Sequence, residues 1–144
     1  MTGIPAVRLL VCLSACVSLA ACAEVKATSS TAYKPSSLST VTGAPDAHLV
    51  TLTAAAAQRI GLKTVAIGQD GTSRTVPSEA TLFGAGGRSF VYAATTPLTF
   101  QRVEIRVLAD DGKVARFTDG PAPGTLVVTT GVTEVYGAEF EVAH

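Results

Sequence analysis

From His48 onward the apolar positions of this chain fall in short runs separated by Gly, Pro and Asp, the rhythm of a small β protein. His48–Leu52 reads as a strand. Thr53 is placed to cap a helix over Ala54–Ile60, whose four alanines favour it, and Gly61 to end it. Leu62–Ile67 reads as a strand, Gly68–Gly71 as a hairpin turn and Thr72–Val76 as the partner strand. Pro77 marks a boundary before a further strand over Glu79–Phe83, and Gly84–Gly87 forms the next turn. Arg88–Ala94 carries Phe90 and Tyr92 on one face. Leu98 and Phe100 then occupy even positions, whereas Val103, Ile105 and Val107 occupy odd ones, which calls for a β-bulge near Gln101–Arg102. Asp110–Lys113 is a turn, Val114–Thr118 its return strand and Gly120–Gly124 a rigid loop. Leu126–Thr129, an apolar run, is expected to be buried on both faces. Val132–His144 fits no element clearly. The pattern predicts a mainly β domain over residues 48–144, barrel- or sandwich-like, with one short helix.

The first 47 residues follow other rules. Arg8 closes a weakly basic opening, and Leu9–Val17 is apolar but too short to cross a hydrocarbon core of about 30 Å. Leu19-Ala20-Ala21-Cys22 then has the form of a lipobox. Small residues before the cysteine let an extended backbone enter a signal peptidase, and the thiol is the nucleophile that accepts a diacylglyceryl group. Residues 1–21 are thus expected to be a lipoprotein signal peptide and Cys22 the lipidated first residue of the mature chain. Residues 22–47, rich in Ser, Thr, Ala and Pro, are expected to be a flexible tether with a reach of roughly 25–30 Å.

Composition sharpens this picture. All three cysteines, Cys12, Cys16 and Cys22, lie in or beside the signal, so the body has no thiol for a disulfide and relies on packing. Of eleven basic and eleven acidic side chains, the signal removes Arg8 alone, leaving one net negative charge. Nothing in that balance points to nucleic acid.

Candidate catalytic and metal-binding groups are sparse. The histidines are His48, at the edge of the predicted domain, and His144, the last residue. Either could pair with Asp46, Asp110, Asp111 or Glu141, but none has ligand spacing, and no G-x-S-x-G elbow is present. The glycines of Gly84–Gly87 lack the following Gly-Lys-Ser/Thr and helix of a phosphate loop and are expected to turn a hairpin. Asp110 and Asp111 belong to their turn, and Glu134, Glu139 and Glu141 read as a solvated face. Tyr136 and Phe140 are open between core and surface contact. No catalytic residue, metal or cofactor is assigned.

Two stretches resemble the periplasmic adaptor subunits (membrane fusion proteins) of tripartite efflux pumps of the resistance-nodulation-division type. Val50–Thr64 is similar to the strand–helix–strand near the start of such adaptors, and Val76–Gly131, with Thr118-Asp119-Gly120-Pro121-Ala122-Pro123-Gly124 before Leu126-Val127-Val128, to their membrane-proximal domain. Only Gly68–Val76 separates them, where full adaptors have a lipoyl-like domain and usually a helical hairpin. The resemblance implies a non-enzymatic accessory lipoprotein, held by lipid at Cys22 on the extracytoplasmic face of the cell membrane or on an outer membrane, with an inner-membrane transporter as partner. The alternative is a lipoprotein that binds a small ligand or a metal ion.

Overall fold

A computed structural model describes residues 34–41 and 44–141, with the backbone alone for 44–47 and 141. Among the described residues are eleven strands and two α-helices. In chain order they are β1 (Ser36–Val41), β2 (Ala44–Leu52), α1 (Ala54–Arg59), β3 (Lys63–Ala66), β4 (Gly68–Asp70), β5 (Ser73–Pro77), β6 (Leu82–Phe83), β7 (Ser89–Thr96), β8 (Thr99–Ile105), β9 (Val107–Asp110), β10 (Val114–Phe117), β11 (Leu126–Thr130) and α2 (Val132–Glu141). The larger sheet is antiparallel and runs β1-β2-β8-β7-β11-β3, with β6 also on β7; the smaller runs β4-β5-β10-β9. The expected mainly β fold is what forms.

The large sheet is covered on both sides. On one face Val91, Ala93, Ile105 and Val127 meet Val76, Ala115 and Phe117 of the small sheet. On the other, Val50, Tyr92, Phe100 and Val128 lie under Ile60 beside α1 and Val132, Val135 and Ala138 of α2. Val127 and Val128 point to opposite faces and are both fully buried, each worth about 1.5–3 kcal/mol relative to exposure. Leu126, at the start of the same run, is 48% exposed, so β11 is buried on both faces only in its middle.

Double coverage also accounts for the change of parity along β8. Its pairing with β7 runs unbroken from Ala94↔Phe100 to Ser89↔Ile105, and the irregularity lies on β7 between Ala94 and Thr96. No bulge is needed at Gln101–Arg102, because Phe100 packs toward the helices while Val103 and Ile105 pack toward the small sheet.

Helix α1 forms where its caps predict. Thr53 Oγ1 accepts from Ala56 N at 3.1 Å. At the other end the Gly61 and Leu62 amides donate to the Gln58 and Ala57 carbonyls, with Gly61 at φ 64°, a Schellman closure that favours glycine. The hairpin expected between Leu62–Ile67 and Thr72–Val76 does not form. At buried Ile67, bonded to Thr125 and Gly124, the chain leaves the large sheet: β3 pairs with β11, and β5 pairs with β4 and β10. Glu79–Phe83 is a tight helical turn at Ser78–Ala80 followed by the two residues of β6, whereas Gly84–Gly87 does join the β6–β7 hairpin.

The largest correction concerns the tether. Residues 36–41 and 44–47, expected to be part of it, are strand: β1 pairs with β2 from Ser36↔Leu52 to Thr40↔His48, and Ser36 is buried. An edge strand needs only backbone bonds and one apolar anchor, here Leu38, so a Ser/Thr-rich run suffices. The proposed signal, the lipobox residues Leu19, Ala20 and Ala21, and Cys22 lie outside the described residues.

Gly120 tests the packing between the sheets. It has φ 147°, and a Cβ there would stand 2.6 Å from Ile105 Cγ2 and 3.1 Å from Phe117 Cε2. Gly120→Ala is expected to destabilise the fold by about 2–4 kcal/mol in urea unfolding. Gly71→Ala, at φ 60° with open space around it, is expected to lose only about 1–2 kcal/mol.

Candidate functional site

The chemically richest constellation lies where α2 crosses β7 and β8. Tyr92 and Arg102 are direct cross-strand partners and share the helix-covered face. Val132, Val135 and Glu139 are all buried, a helical stripe that seats α2 on this face. Glu139 is 2% exposed, not on a solvated face as its sequence surroundings suggest. Its carboxylate accepts from Tyr92 Oη at 2.6 Å, and Arg102 Nε donates to both oxygens, at 3.0 and 3.2 Å.

Aromatic rings extend this core to the surface. The Arg102 guanidinium lies 4.9 Å from the Phe90 ring centroid and 5.2 Å from that of Phe140. Arg88 also covers Phe90, at 5.3 Å, and faces Glu104 at 3.7 Å in an exposed ion pair. Phe140 packs on Tyr136 with centroids 4.6 Å apart, and both rings are part-exposed, at 44% and 39%. The two residues left open between core and surface are thus a surface contact pair. Both carboxylate oxygens are engaged by neighbouring side chains, so this arrangement fastens α2 to the sheet. A buried carboxylate this well supplied with donors recovers most of its desolvation cost, and removing one partner exposes that cost.

The other candidate residues stand apart. His48 is half-buried on β2, Asp46 and Glu141 have only their backbone described, and His144 lies outside the described residues. Asp110 accepts from the Ser78 hydroxyl and from the Gly112 amide at 2.8 Å. Asp111 accepts from the Val114 and Lys113 amides, which hold its carboxyl below the usual range. These are the turn roles expected of both. Among the described residues no three His, Cys, Asp or Glu side chains gather as metal ligands would.

Two recesses flank the helices. A groove of about 720 Å³ lies over Phe100 and Ala94, rimmed by Leu62, Pro97, Leu98 and Leu126. A cleft of about 420 Å³ lies between Ser36, Leu52, α1 and α2. Sequence reasoning missed Glu139 and α2. The signal was the spacing of Val132, Val135 and Ala138, broken by Gly137 and hidden because the stripe continues through a carboxylate. Scans against protein-family models and the curated proteins return no match.

Two measurements probe the latch. Burial first, then the hydrogen bond to Glu139 and its charge, raise the Tyr92 phenol above its ordinary value of 10.0. The unfolded chain therefore releases this proton first, and its contribution to stability is intact below about pH 10 and falls as pH rises beyond it. Urea titrations from about pH 9 to about pH 11 should show a loss of up to about 1.4 kcal/mol per pH unit that Tyr92→Phe abolishes. Arg102→Met, which strands the Glu139 charge, is expected to cost about 3–5 kcal/mol. Arg102→Met combined with Glu139→Met should cost much less, and the difference measures the coupling.

Proposed function

We propose that this chain is a lipid-anchored, extracytoplasmic, non-enzymatic module that docks on a membrane transporter as an accessory subunit. The observation that carries this reading is the way its two adaptor-like stretches combine. The end of β2 in the first stretch, Val50 and Thr51, pairs with β8 of the second, and the start of β3, Lys63 and Thr64, pairs with β11 of the second, so both stretches join one sheet that includes β7. Two stretches that resemble separate parts of a longer protein thus share one sheet, packed on both faces, without the parts absent between them.

The lipobox supplies the anchor in this reading. No helix among the described residues is long and apolar enough to cross a membrane; in this reading acyl chains at Cys22 hold the chain at the surface. The Tyr136–Phe140 pair supplies a docking contact, since part-exposed aromatics are enriched in interface cores.

The anchor is tested by Cys22→Ser, which should release the protein from the membrane fraction or leave the precursor uncleaved; membrane-bound, fully processed protein would overturn it. Docking is tested by a photo-crosslinking amino acid at position 136 in intact cells. The expected adduct is with a polytopic membrane protein, and its absence while the chain is correctly anchored counts against a transporter partner.

A further inference from the structure

We infer that the end of the large sheet bearing the β7–β8 hairpin tip rests on the membrane, with the headgroup–acyl boundary of a phospholipid bilayer occupying its apolar groove. This rests on the lipid-anchor reading, and it adds the orientation of the domain.

The first support is where the chain joins the fold. The Pro35 carbonyl accepts from Thr53 N at 2.9 Å, and the neighbouring Leu52 N donates to Leu98 O at 2.9 Å. The segment coming from Cys22 therefore meets the domain beside the hairpin tip. Lys34 follows Cys22 by twelve positions, a span of at most about 40 Å when fully extended. The anchored end of the domain is this end.

The groove provides the second support. Its floor is Phe100 and Ala94 and its rim is Leu62, Pro97, Leu98 and Leu126. The remaining lining is threonine and glycine, with no charged side chain. Apolar surface ringed by neutral hydroxyls matches the interfacial depth of a bilayer, where polar groups keep their water while apolar ones leave it. Exposed Lys34 beside this end is complementary to anionic headgroups.

Leu98 itself is the third. It sits at φ 59°, the one left-handed non-glycine among the described residues, in the turn Thr96-Pro97-Leu98-Thr99. Proline followed by a residue with positive φ is the pattern of a type II turn, which glycine or asparagine fills without strain. The turn alone gives no reason for leucine. Its side chain adds to the apolar rim, and backbone strain retained at an exposed tip points to a contact made there. A shallow tip contact of this kind binds weakly alone, but an anchor close by raises its effective concentration.

The experiment uses the full, lipidated chain reconstituted into vesicles of phosphatidylethanolamine and phosphatidylglycerol. An environment-sensitive fluorophore is placed in separate proteins at Thr96→Cys and Leu126→Cys, and at Phe83→Cys, an exposed position toward the opposite end of β7. Nitroxide-bearing lipids should quench positions 96 and 126 several-fold more than position 83, with a blue shift of their emission. Wild-type protein is floated with the same vesicles. Flotation with equal, weak quenching at all three positions overturns the orientation and leaves the anchor standing. Failure to float overturns the anchor and the orientation with it. Shielding of 96 and 126 only in native membranes, and not in protein-free vesicles, assigns the groove to a protein partner and overturns the bilayer contact.

Discussion

The constraint on which the rest of this structure depends is that β7 is buried on both faces. Ser89 to Ala93 are buried in succession, so the large sheet needs a cover on each side. A chain of this size provides two unlike ones: a four-stranded sheet on one face and two short helices on the other. The departure of the chain at Ile67 serves this constraint, because β4 and β5, directly after it, belong to the second layer. The alternation of β8 follows too: Phe100 and Arg102 face the helices, and Val103 and Ile105 face the small sheet.

The two covers are held differently. Between the sheets the contact is apolar, Phe117 and Val76 against Val91 and Val127, and depends on volume alone. On the helical side the apolar stripe of α2 is short, and its last buried position is Glu139. The helix is therefore fastened by geometry as well as by area: Tyr92 and Arg102 stand side by side on neighbouring strands, and one carboxylate satisfies both. Such a pair adds little net stability over an apolar equivalent, but it admits one register of α2 on the sheet.

The helices leave part of their face of the sheet uncovered, and this links the fold to its setting. Ala94, Leu98 and Leu126 are partly exposed there beside buried Phe100, at the end where Pro35 brings in the chain. One end thus combines the entry of the chain with the wider of the two recesses described, while α2 presents its aromatic pair on the helical layer. In the function proposed, the first meets lipid and the second meets a transporter.

By itself the sequence determined what depends on neighbours in the chain. The α1 helix with its threonine and glycine caps, the Asp110–Lys113 turn, the β6–β7 hairpin and the mainly β character are all set by local propensity and short-range bonding. The run Leu19–Cys22, outside the described residues, has the local form of a lipobox, and the anchor it suggests belongs to the function proposed. Only the tertiary structure decided which strands pair. β1 looked like tether because its serines and threonines are ordinary in coil, and it is a strand only because β2 offers its backbone. α2 was hidden because Gly137 interrupts its helical run and its buried stripe ends in Glu139, and a carboxylate reads as solvated until Tyr92 and Arg102, distant in sequence, are brought beneath it. Pairing and desolvation are properties of residues far apart in the chain, and no local pattern records them.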